Sequence, residues 1–186
     1  MSIDLPLIWA GVIAFGIFMY VVMDGFDLGI GILYPFFRDK DERDAMMNTV
    51  APIWDGNETW LVLGGAGLFA AFPLAYSVVL TALYLPLLIM LIALIFRGVA
   101  FEFRFKAKRT RHVWDVAFIW GSIVATFAQG VVLGAFIEGI KVENRQFAGG
   151  AFDWLAPFPL FCGAGLVAGY AMLGCSWLLM KTEGKL

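Results

Sequence analysis

From Tyr76 to Phe101 the chain carries one charged side chain, Arg97, in an otherwise apolar run. A run of that length spans a bilayer as a helix, which satisfies every backbone N–H and C=O within itself. A guanidinium inside such a helix has to be answered by carboxylates from its neighbours. Four further apolar segments of spanning length occur, at about 6 to 36, 53 to 72, 114 to 140 and 157 to 180, and the first run extends to about 76 to 103. Breakers and charged stretches separate them: Tyr34-Pro35 and residues 38–44, Phe72-Pro73, the basic residues 106–111, and Glu143-Asn144-Arg145 with Gly149-Gly150. With 61% hydrophobic residues, the chain lies well beyond a globular composition. The expected fold is an all-α integral membrane bundle of about five transmembrane helices. Residues 1–186 read as a single membrane domain, with a first four-helix bundle over about 6–140 and a fifth helix over about 157–180.

Charge position sets the orientation. Placing the N-terminus outside puts Arg38, Lys40, Arg43, Arg104, Lys106, Lys108, Arg109, Arg111, Lys181 and Lys185 on the inner side and leaves Lys141 and Arg145 outside. Cytoplasmic loops are the ones enriched in Lys and Arg, so the N-terminus is expected outside and Leu186 inside. Met1-Ser2-Ile3-Asp4 supplies no basic region ahead of the first apolar run, which reads as a spanning helix and not as a signal peptide. The net charge of −2 is too balanced to point to nucleic acid.

In that topology the intramembrane charges converge in depth. Asp24 and Asp27 come late in a helix running inward, Asp55 and Glu58 early in a helix running outward, and Arg97 late in another running inward. Tyr20, Asp24, Asp27 and Gly31 share one helical face, as do Asp55, Glu58, Val62 and Gly65. Four carboxylates facing one guanidinium cannot all be ionised cheaply in a bilayer, so the pocket is expected to hold protons, as a relay needs. The competing account is structural: the acids brace helices, and Asp55 with Arg97 forms a buried pair that fixes packing.

Other polar residues read more simply. Glu102 has Lys106 at i+4 near the inner surface, and Asp115 sits at the start of a helix, where an acid favours the N-terminal dipole end. Ser122, Thr126 and Gln129 continue a polar stripe from Asp115, best explained by hydrogen bonds between helices, with a hydrated path as the alternative. Gly130 with Gly134, and Gly165 with Gly169, have the spacing of close helix contacts. Cys162 and Cys175 lie on one helix, too far apart for a disulfide. The single histidine, His112, falls in the basic inner loop, so internal bis-histidine haem ligation is not available and no metal site is expected. No phosphate loop or nucleophile elbow is present, and no catalytic residue is expected in this chain.

Three stretches resemble subunit II of cytochrome bd-type quinol oxidases: Asp24-Gly25-Phe26-Asp27-Leu28-Gly29, the run from Ala51-Pro52-Ile53-Trp54-Asp55-Gly56-Asn57 to Phe72-Pro73, and Phe96-Arg97-Gly98-Val99-Ala100-Phe101-Glu102. They occur in the family's order, and the match spans nearly the whole chain. Asn57-Glu58-Thr59-Trp60 looks like the cyanide-insensitive oxidase branch. The resemblance implies a multi-pass subunit of a respiratory terminal oxidase in the bacterial cytoplasmic (inner) membrane, oxidising quinol and reducing dioxygen to water. It implies that haems b and d belong to the partner subunit I, with none ligated by this chain. It leaves room for a small single-helix subunit, membrane lipids and a bound quinone.

Family carboxylates assigned to proton delivery map onto Asp24 and Asp55, and spacing adds Asp27 and Glu58, with Arg97 as charge partner. The family usually carries a second, similar bundle, so this chain is expected to be the N-terminal part of a longer subunit. Two rival readings are half of an ion-coupled transporter and a purely structural membrane scaffold. The helices are not visibly broken at midplane, which counts against a carrier.

Overall fold

The computed structural model describes residues 4–182. The expectations that fall on Met1-Ser2-Ile3, Lys185 and Leu186 lie outside the described residues. Six α-helices and one small hairpin follow in the order α1 (Leu5–Leu33), α2 (Lys40–Val50), α3 (Trp54–Ala71), α4 (Pro73–Lys106), α5 (Arg111–Glu138), β1 (Val142–Glu143), β2 (Gln146–Phe147) and α6 (Pro157–Lys181). The chain is therefore all-α in architecture, and its five long helices match the five apolar segments in order.

Local chemistry explains the helix ends. Asp4 caps α1 by accepting from the Leu7 N–H at 3.2 Å, and Pro6 sits in the first turn, where its missing N–H costs nothing. α1 ends in a 3-10 turn, Tyr34–Phe36, that contains Pro35. Pro73 opens α4 and Pro157 opens α6 in the same way. α4 is not continuous: Leu83 leaves the helical region at φ −117°, ψ 16°, three residues before Pro86. Pro86 cannot donate to the Ala82 carbonyl and its ring crowds it, so the helix kinks there. The kink falls in the first half of α4, and the helix continues beyond it to Lys106.

Among the described residues, four helices, α1, α4, α5 and α6, are long and apolar enough to cross a membrane. The remaining expected span, α3, forms as a helix, but Asp55, Asn57 and Glu58 in its first two turns keep it outside that group. It lies antiparallel along α1, with Gly64 against Ile17 and Gly67 against Ile13. Its polar start therefore meets the late, acidic part of α1.

α6 packs on both α1 and α5. A Cβ on Gly29 would lie 2.1 Å from the Tyr170 carbonyl oxygen and 2.7 Å from the Gly174 nitrogen, and one on Gly130 would lie 2.7 Å from the Cys162 carbonyl oxygen. Such backbone-to-backbone approach is what small residues permit between membrane helices. By contrast, Gly165 and Gly169 face open space. Cys162 and Cys175 are both free thiols on α6.

Two elements were not expected. The charged stretch after Phe37 is not a loop; Asp39 accepts from the Asp41 N–H at 2.7 Å and caps α2, which has acids in its first turn. α2 turns Met46, Met47 and Val50 into a core shared with Ile30, Tyr34, Ala100, Phe101, Phe118 and Leu178. Between α5 and α6 a two-residue turn, Asn144-Arg145 with φ of 47° and 63°, joins strands paired Val142 to Phe147 and Glu143 to Gln146. Positive φ at both central residues is the hairpin geometry that suits strand twist. The outward-facing side chains of α1, among them Leu7, Trp9, Phe15 and Phe18, are exposed and apolar, as expected of a helix solvated by lipid.

Candidate functional site: a buried arginine among three carboxylates

Arg97 on α4 is completely buried, and its guanidinium joins three helices. Nη1 donates to Asp24 Oδ1 on α1 at 3.0 Å and to Glu58 Oε1 on α3 at 2.8 Å, while Nη2 lies 3.8 Å from Asp27 Oδ2. Asp24 and Asp27 are themselves completely buried, and Glu58 is partly exposed. Asn57 Nδ2 donates to Asp27 Oδ2 at 2.8 Å. The guanidinium also lies 5.6 Å from the Phe101 ring centroid, and Phe101 stacks on Trp54 at 5.0 Å.

The backbone makes room for this arrangement. Gly25, next to Asp24, lets the Tyr170 ring lie against α1, and Gly98, next to Arg97, lets Trp54 close over α4. Gly121 of α5 faces the Arg97 backbone, where a Cβ would lie 3.0 Å from its nitrogen.

Of the four carboxylates expected here, the structure brings together Asp24, Asp27 and Glu58. Asp55 is exposed and, among the described residues, has no ion pair. The Asp55–Arg97 pair of the bracing account is accordingly replaced by Glu58–Arg97. The reason is angular: positions three apart on a helix differ by about 60° around its axis, and only Glu58 is on the side facing α4. Asn57, given no role by sequence spacing, is 6% exposed and binds Asp27. Its signal was present, because an amide next to Glu58 in a membrane helix needs a buried partner.

Charge balance decides what the cluster can do. Three ionised carboxylates against one guanidinium leave two negative charges in a low-dielectric interior, and an unpaired buried charge costs several kcal/mol. Neutrality requires two protons shared among the three carboxyls.

A second ionic cluster lies one helix segment nearer the basic end. Arg104, 1% exposed, donates from Nε to Asp115 and from Nη1 to Asp44 Oδ1 at 2.6 Å. Arg111 also donates to Asp44, Arg43 pairs with Asp115 at 3.3 Å, and the Tyr34 hydroxyl donates to Asp115 at 3.3 Å. Partial burial pushes the Asp44 carboxyl up, and the hydrogen bonds from Arg104 and Arg111 outweigh it, holding the group below the usual aspartate range. Asp115, expected as a helix cap, is instead the hub that ties α2, α4 and α5 together. α5 starts at Arg111 after Thr110, so Asp115 lies a full turn inside the helix.

Elsewhere, Glu102 and Lys106 form the expected exposed i, i+4 pair at 3.1 Å. Gln129 Nε2 donates to the Tyr170 hydroxyl at 2.9 Å, a bond between α5 and α6. His112 is exposed in the first turn of α5. Among the described residues, no group of three or more His, Cys, Asp or Glu is placed to hold a metal ion.

Residues 5–186 match the family described as cytochrome bd terminal oxidase subunit II. The chain is 36% identical over 193 residues to cytochrome bd-I ubiquinol oxidase subunit 2 of Escherichia coli K12, covering 98% of this chain and 50% of that protein. It is 36% identical over 186 residues to the probable cytochrome oxidase subunit 2 of Haemophilus influenzae, covering 96% and 49%. Against cytochrome bd ubiquinol oxidase subunit 2 of Bacillus subtilis it is 33% identical over 187 residues, covering 98% and 54%. The chain thus spans about half the length of the curated relatives it matches. Its motifs, its apolar helices and these matches agree, and the chain belongs to the cytochrome bd terminal oxidase subunit II family.

Proposed function

We propose that residues 1–186 form one membrane domain, the N-terminal part of the second subunit of a quinol-oxidising, dioxygen-reducing respiratory complex in the bacterial cytoplasmic membrane. The chain stabilises a haem-bearing subunit I, which carries haems b and d, and ligates none itself. The names of the Escherichia coli and Bacillus subtilis relatives, ubiquinol oxidase subunits, support quinol as the electron donor. The basic end, carrying α2, the 106–111 loop and Lys181, faces the cytoplasm, in keeping with the bias of Lys and Arg.

Within the complex, Asp24, Asp27, Asp55 and Glu58 form a proton path from the cytoplasmic side, with Arg97 as charge partner. One observation carries this reading: three carboxyls share one fully buried guanidinium, so the cluster reaches neutrality only by holding protons. Glu58, partly exposed between the buried pair and exposed Asp55, is the step that links them. Reducing dioxygen to water consumes protons; drawing them from the inside while quinol releases its own outside separates charge across the membrane.

The test is Asp55→Asn and Glu58→Gln in the full-length subunit within its complex. Both should leave haem content unchanged while slowing oxygen uptake and charge separation. Full turnover per haem in both variants would remove these residues from the path and leave a bracing role for the cluster.

A further inference from the structure

Around the Arg97 pair several polar atoms are buried with no partner in the protein among the described residues. The donors are Arg97 Nε and Nη2 and the Ser122 and Thr126 hydroxyls, and the acceptors are Asp27 Oδ1 and Gln129 Oε1; the Tyr20 hydroxyl lies beside the Asp24 carboxyl without a bond of ordinary length. Unpaired polar groups are expensive in any protein interior and more so at membrane depth, where no bulk water is available. These residues are between 0% and 8% exposed within this one chain. A second subunit or lipid headgroup packed on the outside therefore does not reach them.

They are also adjacent. Tyr20 precedes Asp24 by one turn of α1, and Thr126 precedes Gln129 by one turn of α5. Tyr170 of α6 joins the two groups: its ring would lie 2.9 Å from a Cβ on Gly25, and its hydroxyl accepts from Gln129 at 2.9 Å. Donors and acceptors occur side by side on α1, α4, α5 and α6, and a species that serves both is water.

We propose that Tyr20, Asp24, Arg97, Thr126, Gln129 and Tyr170 enclose a site for internal water molecules that hydrogen-bond the Arg97–Asp24 pair to the Gln129–Tyr170 pair. The ion pair is then wet on the side away from Glu58, and the polar stripe of α5 is its lining. The site goes beyond the proton path proposed above and exists whether or not protons move through Asp55 and Glu58.

X-ray radiolytic hydroxyl labelling of the intact complex in lipid nanodiscs, read by mass spectrometry, tests it, because hydroxyl radicals formed from bound water label the side chains beside it. The comparison residue is Phe118, equally buried but enclosed by the Phe101 and Tyr34 rings. Tyr20 and Tyr170 should label several-fold faster than Phe118, and Thr126→Val, which keeps the shape and removes the hydroxyl, should lower Tyr170 labelling several-fold. Labelling of both tyrosines at the Phe118 rate in the unaltered complex overturns the proposal, whatever the variant does.

Discussion

Arg97 Nη1 lies 3.0 Å from Asp24 Oδ1, and both side chains are completely buried, so this ion pair fixes α4 to α1 inside the bundle. Breaking such a pair leaves an uncompensated charge, which typically costs about 3 to 5 kcal/mol. Arg97→Gln leaves the ionised carboxyl of the cluster without its counter-charge and should lower the thermal stability of the purified complex sharply. Asp24→Asn keeps a hydrogen-bond acceptor for Arg97 and leaves Glu58 in place, so it should cost clearly less. Melting curves of the two variants side by side check the order; equal stability would mean that the pair does not hold the helices.

A second constraint on the same helix is steric. A Cβ at Gly29 would meet backbone atoms of α6, at 2.1 Å from the Tyr170 oxygen, and backbone cannot swing away as a side chain can. Gly29→Ala must push α1 from α6, and overpacking of this kind costs about 1 to 3 kcal/mol or more. Gly65→Ala on α3 meets nothing within 4 Å in this chain. The expected result is a lower melting temperature and lower yield for the first and near-native behaviour for the second.

How far the sequence foretold this architecture depends on the range of the interaction. Long apolar runs set α1, α4, α5 and α6, because a lipid environment leaves a helix as the only local solution. α2 was concealed because residues 38–44 are all charged, although Asp39 as cap and Asp41 and Glu42 behind it are a helix start. Its buried side, Met46, Met47 and Val50, is too short to show periodicity. The convergence of Asp24, Asp27, Glu58 and Arg97 followed from depth alone. Which of Asp55 and Glu58 would turn inward did not, since that depends on the rotation of α3 about its axis. Asp115 read as a cap because its true partners, Arg104 and Asp44, are brought to it by tertiary packing across two connections.

The hairpin turn offers a stabilising change. Arg145 holds φ at 63°, a left-handed conformation that costs a residue with a Cβ roughly 1 to 2 kcal/mol. Arg145→Gly gives the Asn-Gly pair that two-residue hairpins prefer. The gain is partly offset by the wider freedom of glycine in the unfolded chain. Slower amide exchange at Gln146 and Phe147, with oxygen uptake unchanged, is the expected outcome.

Asp44 gives the fold a predictable acid limb. Its carboxyl is held below the usual aspartate range by Arg104 and Arg111, against the opposing effect of partial burial. A folded-state value below the unfolded one means that the unfolded chain takes up the proton first as pH falls. The contribution of Asp44 is therefore complete at neutral pH and down to the ordinary aspartate range, declines below it, and is gone once the folded-state value is passed. Asp44→Asn, which never ionises, should be less stable than the unaltered chain at neutral pH, and the gap should close in strong acid. About a quarter of the Asp44 side chain is exposed (26%), so added salt should narrow the gap at neutral pH as well. Melting temperatures of both proteins along a pH series, at low and high salt, measure it; a gap that stays constant into strong acid would show that Asp44 acts through packing and not through its charge.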